Sequence, residues 1–148
     1  MNLHESTIAA PIVYEEHTPD LFQKLYAVHM GIVARDFEPK LRHLLTLRAS
    51  QINGCAYCVN MHLEEARSDG ETQDRLDKLV VWSHVDLFSS AERAALAWTE
   101  ALTVLDPKED MSKLRAELLK HFTAEQISIL TTTIAMINLW NRLQVSKH

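Results

Sequence analysis

The residues of this 148-residue chain best suited to chemistry are two cysteines three positions apart and a histidine four positions further on. Cys55, Cys58 and His62 follow directly after Asn53-Gly54. If a helix begins at Cys55, the spacing of four places His62 and Cys58 on one helix face, where the imidazole can accept the thiol proton or hold the thiolate as an ion pair. The start of a helix also stabilises a thiolate through its backbone N–H groups and its dipole. The pattern therefore predicts a reactive thiol at Cys58.

A reactive thiolate next to a second thiol can reduce a peroxide. The thiolate of Cys58 attacks a peroxide oxygen, a sulfenic acid forms on its sulfur, and Cys55 condenses with that sulfenic acid to give a disulfide. An external dithiol or disulfide reductase must then restore both thiols. These residues favour a cysteine-based hydroperoxide reductase or a thiol–disulfide oxidoreductase, and this function requires neither a bound cofactor nor a metal.

A zinc site is the alternative that the same residues leave open. Cys55, Cys58 and His62 provide three ligands, and His43 on the preceding helix could supply a fourth. A non-enzymatic metal-binding or assembly protein is therefore a competing hypothesis, although no second cysteine pair exists. Covalent haem attachment is excluded, because Val59 stands where that motif requires histidine.

Hydrophobic periodicity predicts an all-α fold, since apolar residues recur at helical spacing and strand-like alternation persists nowhere. The first seventeen residues are predicted to form an irregular arm, and residues 18–148 one helical domain of six to seven helices. Helix boundaries follow from capping residues, from glycine and from proline. The predicted helices run over 18–35, 38–52, 55–69, 72–85 and 89–105, with Pro107 as the stop, then over 108–119 and from Thr123 onward.

Composition and charge exclude several classes of protein. Glycine and proline number three and four, which is too few for a turn-rich β-sandwich, and 47% apolar residues exclude disorder. A formal charge of −5 without a basic cluster argues against nucleic acid or anionic lipid as a partner. The first sixteen residues lack the cationic and apolar regions of a signal peptide, so the sequence predicts a cytoplasmic protein.

The last predicted helix carries no charge over the sixteen residues from Gln126 to Asn141 and is apolar on two faces. It is too short and too polar to span a membrane. Both faces must nevertheless be covered, which favours a homo-oligomer, the alternative being a central helix within one subunit. Asn138 and Asn141 on this helix should be hydrogen-bonded if they are buried.

The stretch from Leu47 to His62 closely resembles the core of the alkylhydroperoxidase AhpD-like branch of the carboxymuconolactone decarboxylase family. Residues 91–101 and 137–143 are similar to the second half of that family, and the resemblance covers roughly residues 18–145. It implies an all-α fold, trimers or hexamers, and a peroxidase (peroxiredoxin-type, antioxidant) or thiol–disulfide exchange activity. The other branch of the family, a cofactor-free lactone decarboxylase, needs no thiol pair, so the two cysteines argue against it.

By position, the resemblance implies that Cys58 is the peroxidatic cysteine, Cys55 the resolving cysteine and His62 the histidine of a proton relay. His43 stands twelve residues before Cys55, where the family commonly has a glutamate acting as the base of that relay. A neutral imidazole can accept a proton near pH 7, so His43 is a candidate replacement with a different pH dependence. Tyr57 occupies a position where family members with peroxidase activity tend to have histidine.

The sequence favours structural roles for Glu65, for three further histidines and for the three tryptophans. Glu65, three residues after His62, could substitute for the missing acid, but a solvated helix face is the simpler interpretation. Three histidines have no sequence partner and are expected on the surface or satisfied in the interior: His29, His84 and His121. Three aromatic residues are expected as core or interface anchors: Trp82, Trp98 and Trp140.

Overall fold

The computed structural model describes residues 8–35 and 37–147, and within these residues all regular secondary structure is helical. It contains eight α-helices and one 3-10 helix, which confirms the predicted all-α class. The α-helices are α1 (Tyr14–His17), α2 (Pro19–Val33), α3 (Pro39–Ile52), α4 (Ala56–Ser68), α5 (Gln73–Lys78), α6 (Ser90–Val104), α7 (Met111–Leu119) and α8 (Ala124–Val145), and the 3-10 helix is Leu79–His84.

The two capping boxes read from the sequence are both formed. Ser89 Oγ accepts the backbone N–H of Glu92 at 3.1 Å, and Glu92 Oε2 accepts the backbone N–H of Ser89 at 2.7 Å. Thr123 and Gln126 exchange the same pair of hydrogen bonds at 3.2 and 2.9 Å. These bonds satisfy N–H groups that a helix start would otherwise leave unpaired.

Three local features differ from the sequence prediction. Tyr14–His17 forms a single helical turn inside the predicted irregular arm. With this turn, α1, the number of α-helices is eight, where six to seven were predicted. The predicted helix over 72–85 divides into α5 and the 3-10 helix, because the backbone of Val81 (φ −120°) is not helical. Helix α6 ends at Val104, before Pro107, since Leu105 adopts a left-handed conformation (φ 55°) that terminates it.

Helix α3 lies at the centre of the molecule and packs against α4, α6 and α8. Its Leu44, Leu45 and Leu47 are fully buried. Burial of one such side chain contributes roughly 1.5–3 kcal/mol to folding, so α3 is anchored by its own sequence. A well-anchored α3 fixes the position of His43 and of the turn that leads into α4.

Helix α8 is covered differently on its two apolar faces. Leu130 and Ile134 on one face are fully buried in the core. On the other face, Met136, Trp140 and Leu143 line a cavity beneath α2. Part of the second apolar face of α8 is thus covered by α2 of the same subunit. Within residues 8–35 and 37–147, no helix has both the length and the apolar character needed to cross a bilayer.

Helices α1 and α2 close one side of the molecule. Tyr14 is hydrogen-bonded through its hydroxyl to Ser146 Oγ at 2.8 Å, and Lys147 Nζ is 3.2 Å from both carboxylate oxygens of Glu15. These contacts join the first helical turn to the end of α8. Helix α2 then runs across α8, so that a space remains between α2, α3, α4 and α8.

Candidate active site

The turn between α3 and α4 is fixed by hydrogen bonds that its sequence specifies. Gly54 has φ +66°, a left-handed conformation that glycine adopts without steric cost. The N–H of Cys55 donates to the carbonyl of Ser50 at 3.1 Å, and the N–H of Gly54 donates to that of Gln51 at 3.2 Å. This is a Schellman motif, which ends a helix at a defined angle. The motif places Cys55 directly at the start of α4.

Cys55 is the N-cap residue of α4, and its sulfur accepts the backbone N–H of Cys58 at 3.3 Å. The two cysteines form a disulfide with 5.3 Å between their Cα atoms. Both are buried, with exposed fractions of 2% and 3%. Of the two, Cys58 lines the cavity beneath α2. The two sulfur atoms therefore occupy different environments, one at the helix cap and the other at the cavity wall.

Four residues of α4 and its C-cap form a line along one side of the helix. Their spacings of four, three and four residues place them on one face: Cys58, His62, Glu65 and Asp69. His43 on α3 lies opposite the far end of this line. Its Nε2–H donates to Asp69 Oδ2 at 2.5 Å, and its Nδ1 is 3.7 Å from Glu65 Oε2. The structure thus brings His43 near Glu65, the carboxylate that His62 also contacts.

His62 has one engaged and one free ring nitrogen. Its Nδ1–H donates to Glu65 Oε2 at 3.1 Å, whereas Nε2 is buried without a hydrogen-bond partner among the described residues. Burial lowers the pKa of His62 below 6.5, while the hydrogen bond that the ring donates to Glu65 opposes this effect. The neutral ring therefore carries its lone pair on Nε2, one helical turn from Cys58. This arrangement can accept a proton.

The cavity beneath α2 has a volume of about 590 Å³. Cys58, His62 and His43 form its polar wall, from α4 and α3. Side chains of α2 and α8 form the opposite wall, and most of them are apolar: Phe22, Tyr26, Ile137, Trp140 and Leu143. An apolar chamber with a few converging polar groups is the usual form of a small-molecule site.

The apolar wall contains two residues that the sequence patterns did not assign to a site. Trp140 Nε1–H donates to His29 Nδ1 at 3.2 Å, and the Trp140 ring stacks on that of Tyr26 with 5.1 Å between centroids. Burial lowers the pKa of His29. Trp140 was expected as a core or interface anchor and instead lines the cavity. No sequence spacing connects α2 to α8, so only their packing could reveal this pair.

A buried polar network supports the turn from behind. Asn53 Nδ2 donates to the side-chain oxygens of Asn138 and Asn141, both at 3.0 Å. Asn141 Nδ2 in turn donates to Ser50 Oγ at 3.0 Å, and Asn138 Nδ2 donates to Thr103 Oγ1 at 3.2 Å. The expected hydrogen bonds of both asparagines are thus formed within one chain. They tie the last turn of α3, directly before Cys55, to the long helix α8.

The zinc alternative requires a cluster of ligands. Within residues 8–35 and 37–147, no three His, Cys, Asp or Glu side chains are arranged to hold a metal ion. In this state the two sulfurs are bonded to each other. The observed geometry therefore gives no specific support to metal binding.

Known proteins resemble this chain in both sequence and fold. The sequence profile of the carboxymuconolactone decarboxylase family matches residues 19–101. YdfG, an uncharacterized protein of Bacillus subtilis strain 168, is 38% identical over 105 residues, 71% of each chain. YnjA, an uncharacterized protein of Escherichia coli strain K12, is 30% identical over 139 residues, 92% of this chain and 75% of YnjA.

A solved structure from Agrobacterium tumefaciens superposes with a TM-score of 0.87 at 34% identity and covers 94% of this chain and 95% of its own. It belongs to a protein of unknown function with the provisional name antioxidant defence protein AhpD. The agreement extends over nearly the whole of both chains. The fold described above is therefore that of this relative.

Proposed function

The chain belongs to the carboxymuconolactone decarboxylase family, and on this premise we propose that it reduces organic hydroperoxides through Cys58 and Cys55 as an antioxidant peroxidase. One observation carries the proposal. A cysteine pair joined as a disulfide stands at a helix start, and its Cys58 lines an apolar cavity together with His62, whose buried Nε2 has no hydrogen-bond partner in the part of the chain that the structure describes. Decarboxylation needs no thiol pair, so this observation favours the redox branch of the family.

The first step oxidises Cys58. His62 Nε2 takes the thiol proton, and the thiolate attacks the terminal oxygen of the hydroperoxide. The O–O bond breaks, the sulfur becomes a sulfenic acid, and the alkoxide leaving group takes the proton from His62 to leave as an alcohol. The sulfur loses two electrons to the peroxide in this step.

The second step forms the disulfide seen in the structure. Cys55 attacks the sulfenic sulfur, hydroxide leaves and takes up the Cys55 proton as water, and the S–S bond forms. The cap position of Cys55 suits this role. Its sulfur accepts a hydrogen bond from the backbone N–H of Cys58, and this bond would stabilise a thiolate on Cys55. No large movement is needed, since the two Cα atoms are only 5.3 Å apart in the product.

The third step requires an external dithiol or disulfide reductase as the electron donor. A thiolate of that donor attacks Cys58, the sulfur at the cavity, and Cys55 leaves as the thiolate favoured by its cap position. A second attack within the mixed disulfide releases the oxidised donor. The chain itself then returns to the dithiol form.

Glu65, His43 and Asp69 act on His62 in this proposal. Glu65 orients the ring by accepting its Nδ1–H, and His43 is held by Asp69 within 3.7 Å of the same carboxylate. His43 at the position of the family glutamate thus works as part of an acid–imidazole pair. Asp69 is a positioning residue, because it contacts His43 and not the reacting sulfur.

The setting of the reaction is also proposed. A trimer or hexamer, as the family resemblance implies, would cover side chains of α2 that are about half exposed in the single subunit: Leu21, Val28 and Met30. A cytoplasmic location would supply the reducing equivalents that the third step consumes. Sedimentation of the purified chain measures whether it forms a trimer or a hexamer.

The experiment that tests the proposal is a single turnover followed by intact mass. Reduced protein is mixed with one equivalent of cumene hydroperoxide and quenched in acid. The proposal predicts the loss of two hydrogens from the protein and one equivalent of cumyl alcohol. The Cys58→Ser variant is the matched control and should remain unchanged. Recovery of an unreacted dithiol from the wild-type chain would contradict the proposal.

A further inference from the structure

We propose that the cavity binds an organic hydroperoxide that also carries a carboxylate, such as a fatty-acid hydroperoxide, with the carboxylate on Arg42. This inference rests on the proposed function for its reaction but not for its binding site. It names a substrate class and an anchoring residue that the reaction scheme alone does not specify.

The size of the cavity indicates a substrate much larger than hydrogen peroxide. Its volume is about 590 Å³, against roughly 30 Å³ for one water molecule in the liquid. Pockets of about 300 to 1,000 Å³ enclose drug-sized organic molecules. A small peroxide would leave most of this chamber unfilled.

The side chains of α2 and α8 that line the cavity indicate an apolar body for that substrate. Phe22, Ile137, Trp140 and Leu143 present carbon surface, and the polar atom of Trp140 is already bonded to His29. Polar ligand groups would lose their hydration at this wall without gaining partners. Burial of a hydrocarbon chain there is favourable.

The charges on the cavity wall indicate where an anion would bind. Among the residues that the structure describes, two basic side chains, Lys147 and Arg42, and two acidic ones, Glu15 and Glu65, line the cavity. Lys147 is already paired with Glu15, at 3.2 Å. Arg42 donates one long hydrogen bond, 3.4 Å from Nη1 to the carbonyl of Val33, and within residues 8–35 and 37–147 it has no carboxylate partner.

A guanidinium group has five N–H donors in a planar fork that matches a carboxylate with two parallel hydrogen bonds. The bond from Arg42 to Val33 uses one of these donors. Arg42 precedes His43 on α3, and both line the cavity that Cys58 borders. An amphiphilic acid is thus the ligand whose two parts match the two kinds of surface present.

Binding is measured on the oxidised protein, in which no peroxide chemistry can occur. Linoleate and its methyl ester are titrated below micelle concentrations, and the fluorescence change is recorded. Of the three tryptophans, Trp140 is the one that lines the cavity. The Trp140→Phe variant therefore shows whether the fluorescence change comes from the cavity. We expect linoleate to bind on the order of tenfold or more tightly than the ester. A factor of this size corresponds to the free energy of one hydrogen bond to a charged group.

Arg42→Gln should bring the affinity for linoleate down to that for the ester, and Arg42→Lys should restore part of the difference. Circular dichroism checks that both variants are folded. Arg115→Gln, an exposed arginine on α7 outside the cavity, is the matched control and should not change the affinity. Equal affinity for acid and ester, unaffected by Arg42→Gln, would overturn the inference, and so would the absence of binding by both ligands.

Turnover separates this inference from the proposed function. Reduced protein should be oxidised by linoleic acid hydroperoxide faster than by its methyl ester, and Arg42→Gln should remove the difference. Linoleate binding that depends on Arg42, together with no oxidation by either hydroperoxide, would support the site and contradict the peroxidase. Oxidation by both hydroperoxides at one rate would support the peroxidase and overturn the carboxylate anchor.

Discussion

His43 Nε2 lies 2.5 Å from Asp69 Oδ2, so the central helix α3 is joined to the C-cap of α4 by a hydrogen bond from an imidazole to a carboxylate. A carboxylate in this position fixes the tautomer of the ring, with the proton on Nε2. His43 therefore presents Nδ1 toward Glu65, the residue that also accepts the Nδ1–H of His62.

Asp69→Asn should slow the oxidation of Cys58 by hydroperoxide severalfold. An amide is a weaker hydrogen-bond acceptor than a carboxylate, so the variant holds the His43 ring less firmly beside Glu65. The rate of thiol loss measured by stopped flow at pH 7 checks this. Asp74→Asn, an exposed aspartate on α5 paired with Lys78, is the control. A rate equal to that of the wild type would place Asp69 outside the relay.

His43→Glu places the family residue at position 43, where the imidazole of the wild type contacts Asp69 and lies 3.7 Å from Glu65. The new carboxylate would therefore have two carboxylates as neighbours and be repelled by both. We expect the single variant to gain little rate near pH 7 and the double variant His43→Glu, Asp69→Asn to react with hydroperoxide faster than the wild type. Equal rates for all three proteins would place position 43 outside the relay.

The pKa of His62 in the oxidised protein should lie below 6.5, because burial disfavours the charged ring. Glu65→Gln should lower it further, since the hydrogen bond and the charge of Glu65 both raise it. Titration of the imidazole protons by NMR measures both values. A His62 that titrates above 6.5 in the wild type would contradict the arrangement described here.

The same shift has a consequence for stability. Near pH 6.5 the unfolded chain binds more protons at His62 than the folded protein does, because burial lowers the pKa of this ring. The contribution of His62 to stability is therefore complete above pH 6.5 and is lost as the pH falls below it. Urea unfolding at pH 7.5 and 5.5 should show a smaller decrease in the free energy of unfolding for His62→Gln than for the wild type.

Asn141→Ala should lower the free energy of unfolding by about 1 to 3 kcal/mol, because it removes the hydrogen bond that Asn141 donates to the buried Ser50 and the one that it accepts from Asn53. Urea denaturation measures the loss. Lys120→Ala, which removes an exposed ion pair with Glu117, should cost no more than about 1 kcal/mol. Similar losses for the two variants would show that the network behind the turn contributes little.

The sequence predicted those parts of the fold that depend on neighbouring residues. The capping boxes at Ser89 and Thr123, the start at Pro19 and the stop at Gly54 all appear, because each is decided within one helical turn. The break at Val81 was not predicted, since its neighbours continue the helical pattern.

The site was only partly predictable for the same reason. The spacing of Cys58 and His62 is a property of one helix, and Asp69 continues that spacing and could have been found from it. The position of His29 opposite them depends on how α2 packs against α8, through its hydrogen bond with Trp140. No local pattern encodes a contact between residues 111 positions apart in the chain.

The most direct test of the peroxidatic role of Cys58 is to trap its sulfenic acid. Cys55→Ser and Cys58→Ser are each reduced, mixed with one equivalent of cumene hydroperoxide in the presence of dimedone, digested and analysed by mass spectrometry. A peroxidatic Cys58 predicts a dimedone adduct on Cys58 in the Cys55→Ser variant and none on Cys55 in the Cys58→Ser variant. An adduct on Cys55 alone would reverse the two roles, and no adduct on either cysteine would contradict peroxide reduction by this pair.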